Sequence, residues 1–171
     1  MNLSLAGEAD FHGLSVLDGT TYGWNAGSGE FMVSTDRSSW ERRSTVELFT
    51  FVVDQSDESR VDAAGPDGII RSTDGGRSWS AANGPLLVAL TSRPDGSLWG
   101  ADSTGTVWSS EDGSTWSEAG NVDGESNAIH ASEESVWVAT HGDNMTTTIR
   151  RSDDNGGSWS VVYQEKSALS S

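Results

Sequence analysis

No cysteine occurs among the 171 residues. That excludes a disulfide framework, a thiolate metal site and a cysteine nucleophile. Proline is scarce, at three. The longest uninterrupted apolar run, residues 86–90 (LLVAL), is far short of the roughly 20 residues a membrane helix needs. Positive charge is scarce too: nine arginines and Lys166 stand against 26 acids, for a formal net charge of −16. No basic stripe is available to neutralise phosphates or to dock on anionic lipid, so neither nucleic acid nor membrane insertion is expected. Residues 1–8 (MNLSLAGE) have no basic or apolar region of the kind a secretory leader needs, so none is expected in this chain.

Glycine (20), serine (28) and tryptophan (8) are plentiful. A disordered chain of this charge would be poor in aromatics. Glycine and serine favour turns, whereas tryptophan, valine and threonine favour strands. The composition therefore points to many short strands joined by tight turns.

A repeat organises the chain. Four segments read Ser34–Trp40 (STDRSSW), Ser72–Trp79 (STDGGRSW), Ser110–Trp116 (SEDGSTW) and Ser152–Trp159 (SDDNGGSW), their serines 38, 38 and 42 residues apart. The residue three before each serine is apolar: Phe31, Ile69, Val107 and Ile149. Each unit divides into four β-type runs separated by Asn, Asp and Gly clusters such as 65–68 (GPDG) and 93–96 (RPDG), as hairpin turns require. Four strands per roughly 40 residues is the spacing of a propeller blade. The fold class expected is all-β: one β-propeller segment over residues 1–171, with four blades of four antiparallel strands at about 10–44, 47–83, 86–120 and 126–165.

The repeated motif falls between the third and fourth strand of each unit. A serine hydroxyl and an Asp carboxylate two residues apart can bond the turn's own backbone N–H groups. Glycine then supplies positive φ, and the tryptophan opens the outer strand and buries a large ring. A structural role is expected for Ser34, Asp36, Trp40, Ser72, Asp74, Gly76, Trp79, Ser110, Asp112, Gly113, Trp116, Ser152, Asp154, Gly156 and Trp159. The first copy lacks the glycine and has Ser38 nearby instead.

Ser-x-Asp-x-Gly-x-x-Trp resembles the Asp-box, or bacterial neuraminidase repeat, of sialidases, sortilin-type receptors and photosystem-assembly propellers. The second and fourth copies match in full, and the first and third are one residue shorter. Over roughly residues 10–163 the chain most closely resembles the C-terminal half of actinobacterial propellers of the exo-sialidase-like or glycosyl-hydrolase-like Asp-box kind. Phe11–Leu14 (FHGL), Phe31–Asp36 (FMVSTD), Gly65–Gly76 (GPDGIIRSTDGG) and Leu98–Asp102 (LWGAD) carry that likeness. The resemblance implies larger propellers and an extracytoplasmic location.

Asp-box sialidases use an arginine triad, a Tyr–Glu nucleophilic pair and an Asp general acid. Here the only tyrosines are Tyr22 and Tyr163, and the Phe/Tyr-Arg-Ile-Pro signature of one triad arginine is absent. Arg71, Arg77, Arg150 and Arg151 flank or lie in the repeated motif. No catalytic residue carries over one by one. His12 and His130 fall on expected first strands, and His141 falls near Asp143; because they do not occupy equivalent repeat positions, no metal site and no cofactor is expected.

Four units fill the chain and stand at the lower limit of known blade counts. Both terminal units read as whole, so the expectation is a piece of a larger propeller. A homodimer that completes the ring comes second, and a four-blade ring third. The function expected is a non-catalytic module for protein or carbohydrate binding or scaffolding. The alternative is a sialidase-like or other glycoside hydrolase.

Overall fold

The computed structural model describes Leu5 and residues 7–142 and 146–166. The chain folds as sixteen strands with no helix among the described residues. They are β1 Phe11–Leu17, β2 Thr20–Asn25, β3 Glu30–Ser34, β4 Glu41–Thr45, β5 Thr50–Val53, β6 Val61–Gly65, β7 Gly68–Ser72 and β8 Ser80–Ala81. There follow β9 Ala89–Ser92, β10 Leu98–Ala101, β11 Thr106–Ser110, β12 Ser117–Asn121, β13 Glu125–Ala131, β14 Val136–Gly142, β15 Thr146–Ser152 and β16 Ser160–Lys166. They form four sheets, each a meander of four sequential antiparallel strands. This is the blade architecture of a β-propeller.

Blades pair into two compact units, Met1–Ala82 and Asn83–Ser171. In the first, Phe31 on β3 is the hub: it is fully buried and makes edge-to-face contacts with Phe51 at 5.0 Å and Trp79 at 5.3 Å. Val33, Val53, Val61 and Ala63 complete that core. In the second unit, Trp99, Val107, Val122, Val136 and Val138 pack together. The apolar residue three before each repeat serine thus sits on the third strand and faces inward at Phe31, Ile69 and Val107. Ile149 is only partly buried.

The third-to-fourth-strand pairing slips by one residue at the same repeat position in three blades, at Phe31/Met32, Val107/Trp108 and Ile149/Arg150. Such a bulge bends the outer strand and raises its twist. It also fixes an equivalence: Phe31 faces Ser44, Val107 faces Gly120, and Ile149 faces Tyr163.

Two local readings of the sequence are corrected. The run 86–90 does not enter the first strand of its blade whole, because β9 begins at Ala89. Leu87 is buried against Gly100, which has no side chain to occupy that space, while Leu86 points to solvent. Each repeat tryptophan also precedes its outer strand by one residue rather than opening it.

Candidate functional site

The Ser–Asp turns are the most regular polar feature of the molecule. In each, the serine is buried, and its hydroxyl oxygen accepts one backbone N–H at 2.8 Å, from Arg37, Gly76, Gly113 and Gly156 in turn. The same hydroxyl donates to the Asp carboxylate, at 3.3 Å from Ser34 and Ser110 and 2.8 Å from Ser72 and Ser152. The carboxylate accepts in turn from the backbone ahead of it: Asp36 from Ser38 and Ser39, Asp74 from Arg77 and Ser78, Asp112 from Ser114 and Thr115, and Asp154 from Ser158. These bonds satisfy donors that the hairpin takes out of the strand ladder.

Two loop lengths do this with one geometry. The longer turns place two successive residues at positive φ, Gly75–Gly76 (71° and 89°) and Asn155–Gly156 (56° and 90°). The shorter turns use a single one, Gly113 at 69° and Arg37 at 59°. Arg37, not Ser38, therefore stands where the first copy lacks glycine, and the sequence reading is corrected on this point. Length differs by one residue, so aligning the glycines by distance from the serine misplaces the position.

The accepted N–H and O–H hydrogen bonds hold all four carboxyls below the usual carboxylate range. For Asp36 the Ser39 amide leads, for Asp74 the Ser78 hydroxyl, for Asp112 the Thr115 amide and for Asp154 the Ser158 hydroxyl. They are ionised acceptors at neutral pH.

The four motif-flanking arginines do not converge. Arg71 pairs with the buried Asp62 at 2.6 Å and Arg77 with Glu41 at 2.8 Å. Arg150 donates to the Asp123 carbonyl and the Thr140 hydroxyl. Arg151 pairs with Asp153 at 2.6 Å and lies over the Trp137 ring. Tyr22 is buried, which pushes its phenol up, with Glu58 adding to the effect and Arg43 opposing it. Tyr163 is exposed and its hydroxyl bonds Glu165, which also raises it. His12 sits 3.2 Å from Asp10, and His141 Nδ1 lies 3.2 Å from the Thr147 hydroxyl. Asp143 lies outside the described residues. Among the described residues no group of three or more His, Cys, Asp or Glu is placed to hold a metal ion.

Each unit has a groove between the turns of its two blades, and the two grooves differ sharply. In the first unit it is about 210 Å³ and is lined by Tyr22, Arg43, Glu58, Asp74 and Arg77 among others. Arg43, three residues past Trp40, reaches across to the Gly75 carbonyl at 2.6 Å. Arg77, two residues before Trp79, reaches back to Glu41. In the second unit the same two positions, counted from Trp116 and Trp159, are Ala119 and Gly157. The groove there opens to about 830 Å³. On its wall Arg93 stacks over Trp99, guanidinium carbon 4.4 Å from the ring centroid, and donates to Asn155 Oδ1 at 2.9 Å. Trp99 pairs with Ser109 as Tyr22 pairs with Val33, so each groove has an aromatic floor at the same strand position. The groove was not legible in the sequence; the signal was the small residues at 119 and 157 where the first unit carries arginines.

No protein-family profile matches the chain, and no curated protein matches it in sequence. Solved structures do. YCF48 bound to D1 peptide is 19% identical with a TM-score of 0.62, over 90% of this chain and 52% of that one. An ancestral GH74 enzyme is 13% identical with a TM-score of 0.64, over 84% of this chain and 22% of that one. A chain of a nidogen/laminin complex is 13% identical with a TM-score of 0.73, over 90% of this chain and 64% of that one. The likeness establishes the β-propeller fold. The chain spans less than two thirds of the length of each of these proteins.

Proposed function

We propose that this chain is a non-catalytic β-propeller module of the Asp-box type that binds a protein or carbohydrate partner. The observation that carries the reading is the open groove of the second unit, beside turns whose serines and carboxylates are engaged in local hydrogen bonds. The four turn carboxylates are each engaged by local donors, and the motif arginines are paired within their own units. Both tyrosines are shifted up, away from the depressed pKa that would activate a phenol as nucleophile. Function on such scaffolds sits in loops and grooves. The YCF48 structure holds a peptide and the nidogen/laminin structure is a complex, which supports binding as the use of such a fold.

The rival is a sialidase-like or other glycoside hydrolase. Incubation with fluorogenic sialosides and a panel of aryl glycosides separates the two. The binding reading predicts no turnover above the uncatalysed rate. Turnover abolished by Glu118→Gln or Glu111→Gln, both on the groove, would overturn it.

A second reading, pairing of two copies, is favoured by a separate observation. Leu14 and Val16 on β1 and Val161, Val162 and Tyr163 on β16 are exposed, and exposed apolar strands invite partners. Light scattering distinguishes one chain from two.

A further inference from the structure

We infer that the open face of blade one packs against blade four of a second copy of this chain; this rests on the pairing of copies read above and names the two faces that meet. Two seams of this kind already exist, one inside each unit. In the first, Trp24 and Phe31 of blade one pack with Phe51, Val53 and Ala63 of blade two. In the second, Trp99 and Val107 of blade three pack with Ala131, Val136 and Val138 of blade four, and Ile129 lies at the margin. Register makes the seams equivalent. Counted through the strand pairs from each repeat serine, Leu14 stands where Phe51 and Ile129 stand, and Val16 where Val53 and Ala131 stand. Phe51 and Val53 are 8% and 1% exposed, whereas Leu14 and Val16 are 61% and 58% exposed. The residue types match and the cover differs: the Phe51 ring lies on Gly13 of blade one. Phe11 extends the open face, stacked 4.8 Å from Trp40 and lying with Leu14 over Gly23.

Blade four carries the other half of such a seam. The face that blade three turns to blade four includes Ala89, Trp99, Ala101 and Val107, all buried. Their equivalents on blade four are Ala128, Trp137, Ala139 and Ile149, of which Ala128 is exposed and the others are half-buried. Tyr163, also exposed, stands at the position of Ser44, the residue that receives the Trp79 indole from the next blade. Leu14 of one copy therefore finds on Ala128 of the second copy the small surface that Phe51 finds on Gly13, and Trp40 arrives at Tyr163. Each chain offers one face of each kind, so the contact is head-to-tail. Two copies joined in this way at both ends hold eight blades, within the range of closed propellers. Burial of the apolar faces drives the association. Each copy carries a net charge of −16, so salt strengthens the pairing by screening the repulsion between them.

The test uses the whole chain, which has no cysteine of its own. Light scattering should give twice the 18.1 kDa of one chain. The two-chain fraction should rise as sodium chloride goes from about 20 to 200 mM. Leu14→Asp, at an exposed position, should leave the circular dichroism unchanged and weaken pairing by about tenfold or more, because it buries a charge in the seam. The single-cysteine variants Leu14→Cys and Ala128→Cys then locate the contact. Mixed under mild oxidation, they should bridge to each other at least about threefold more than either bridges to itself, since only the mixed pair comes within disulfide reach. A two-chain mass untouched by Leu14→Asp, or Leu14→Cys bridging mainly to itself, would put another face at the interface; either result would overturn the proposal and leave the pairing of copies intact. A one-chain mass at every concentration and salt would overturn both. Masses that grow beyond two chains would show that the contact does not close and would overturn the two-copy assembly.

Discussion

The indole N–H of Trp79 lies 3.0 Å from the hydroxyl oxygen of Ser44, and that hydroxyl donates to the Gly76 carbonyl at 2.6 Å. Blade one thus reads both the tryptophan and the glycine of the next blade's turn with a single side chain. In the second unit the register puts Gly120 where Ser44 stands, and the buried Trp159 Nε1 has no hydrogen-bond partner among the described residues. Glycine is required there: a Cβ on Gly120 would come within 2.4 Å of the Gly156 carbonyl oxygen. The two units solve the same packing problem, one with a hydrogen bond and one with closer backbone approach.

Ser44→Ala should therefore orphan the Trp79 N–H and lower stability by about 1–2 kcal/mol. Urea denaturation followed by tryptophan fluorescence measures this. A loss below about 0.3 kcal/mol would show that the relay contributes nothing.

Arg37 occupies the left-handed region at 59°, where a side chain costs about 1–2 kcal/mol. Arg37→Gly relieves that strain, while glycine's extra freedom in the unfolded chain takes back part of the gain. The net expectation is a stabilisation of about 0.5 kcal/mol. Gly113→Ala, the converse change at the equivalent turn position, should destabilise by about 1 kcal/mol. Paired denaturation curves test both signs at once.

The four turn carboxyls have folded-state pKa values below their ordinary range, near 3.9 in an unfolded chain. A depressed carboxyl stabilises fully above its unfolded value and loses that contribution as pH falls through the folded value. The urea midpoint should accordingly hold between about pH 7 and 5 and fall steadily below about pH 4. Asp74→Asn should be less stable at neutral pH and show a shallower acid decline. An acid limb identical to the parent's would contradict the assignment.

With 26 acids against ten cations, exposed charges repel one another, and screening should stabilise the fold. Raising sodium chloride from about 20 to 200 mM should raise the melting temperature. An unchanged or lower value would remove repulsion from the account.

The repeat made nearly all of the fold readable. Phase, turn composition and β-rich runs located all sixteen strands, because each blade is one local meander that repeats its hydrophobic pattern. What stayed hidden depends on register. Arg37 stands at the position of Gly113 in the other short turn, but an arginine carries no residue-type signal for the left-handed region. The division after Ala82 follows from packing between blades, which no local pattern records. The groove is written in what Ala119 and Gly157 lack, and that becomes visible only when paired strands align them with Arg43 and Arg77. Along β1 exposure alternates without a break, so Leu14 and Val16 face out while the small Gly13 and Ser15 face in, Gly13 packing on Phe51; apolar side chains outside and small ones inside invert the usual reading of a strand.

The Ser–Asp turns act as folding devices. Native-state hydrogen exchange at the amides of Arg37, Gly76, Gly113 and Gly156 tests this role most directly, since each donates to a buried serine hydroxyl. All four should be protected like strand amides, and Ser72→Ala should abolish protection at Gly76 while sparing Gly113 and Gly156. Exchange of these amides at the rate of an open loop, unchanged by Ser72→Ala, would contradict it.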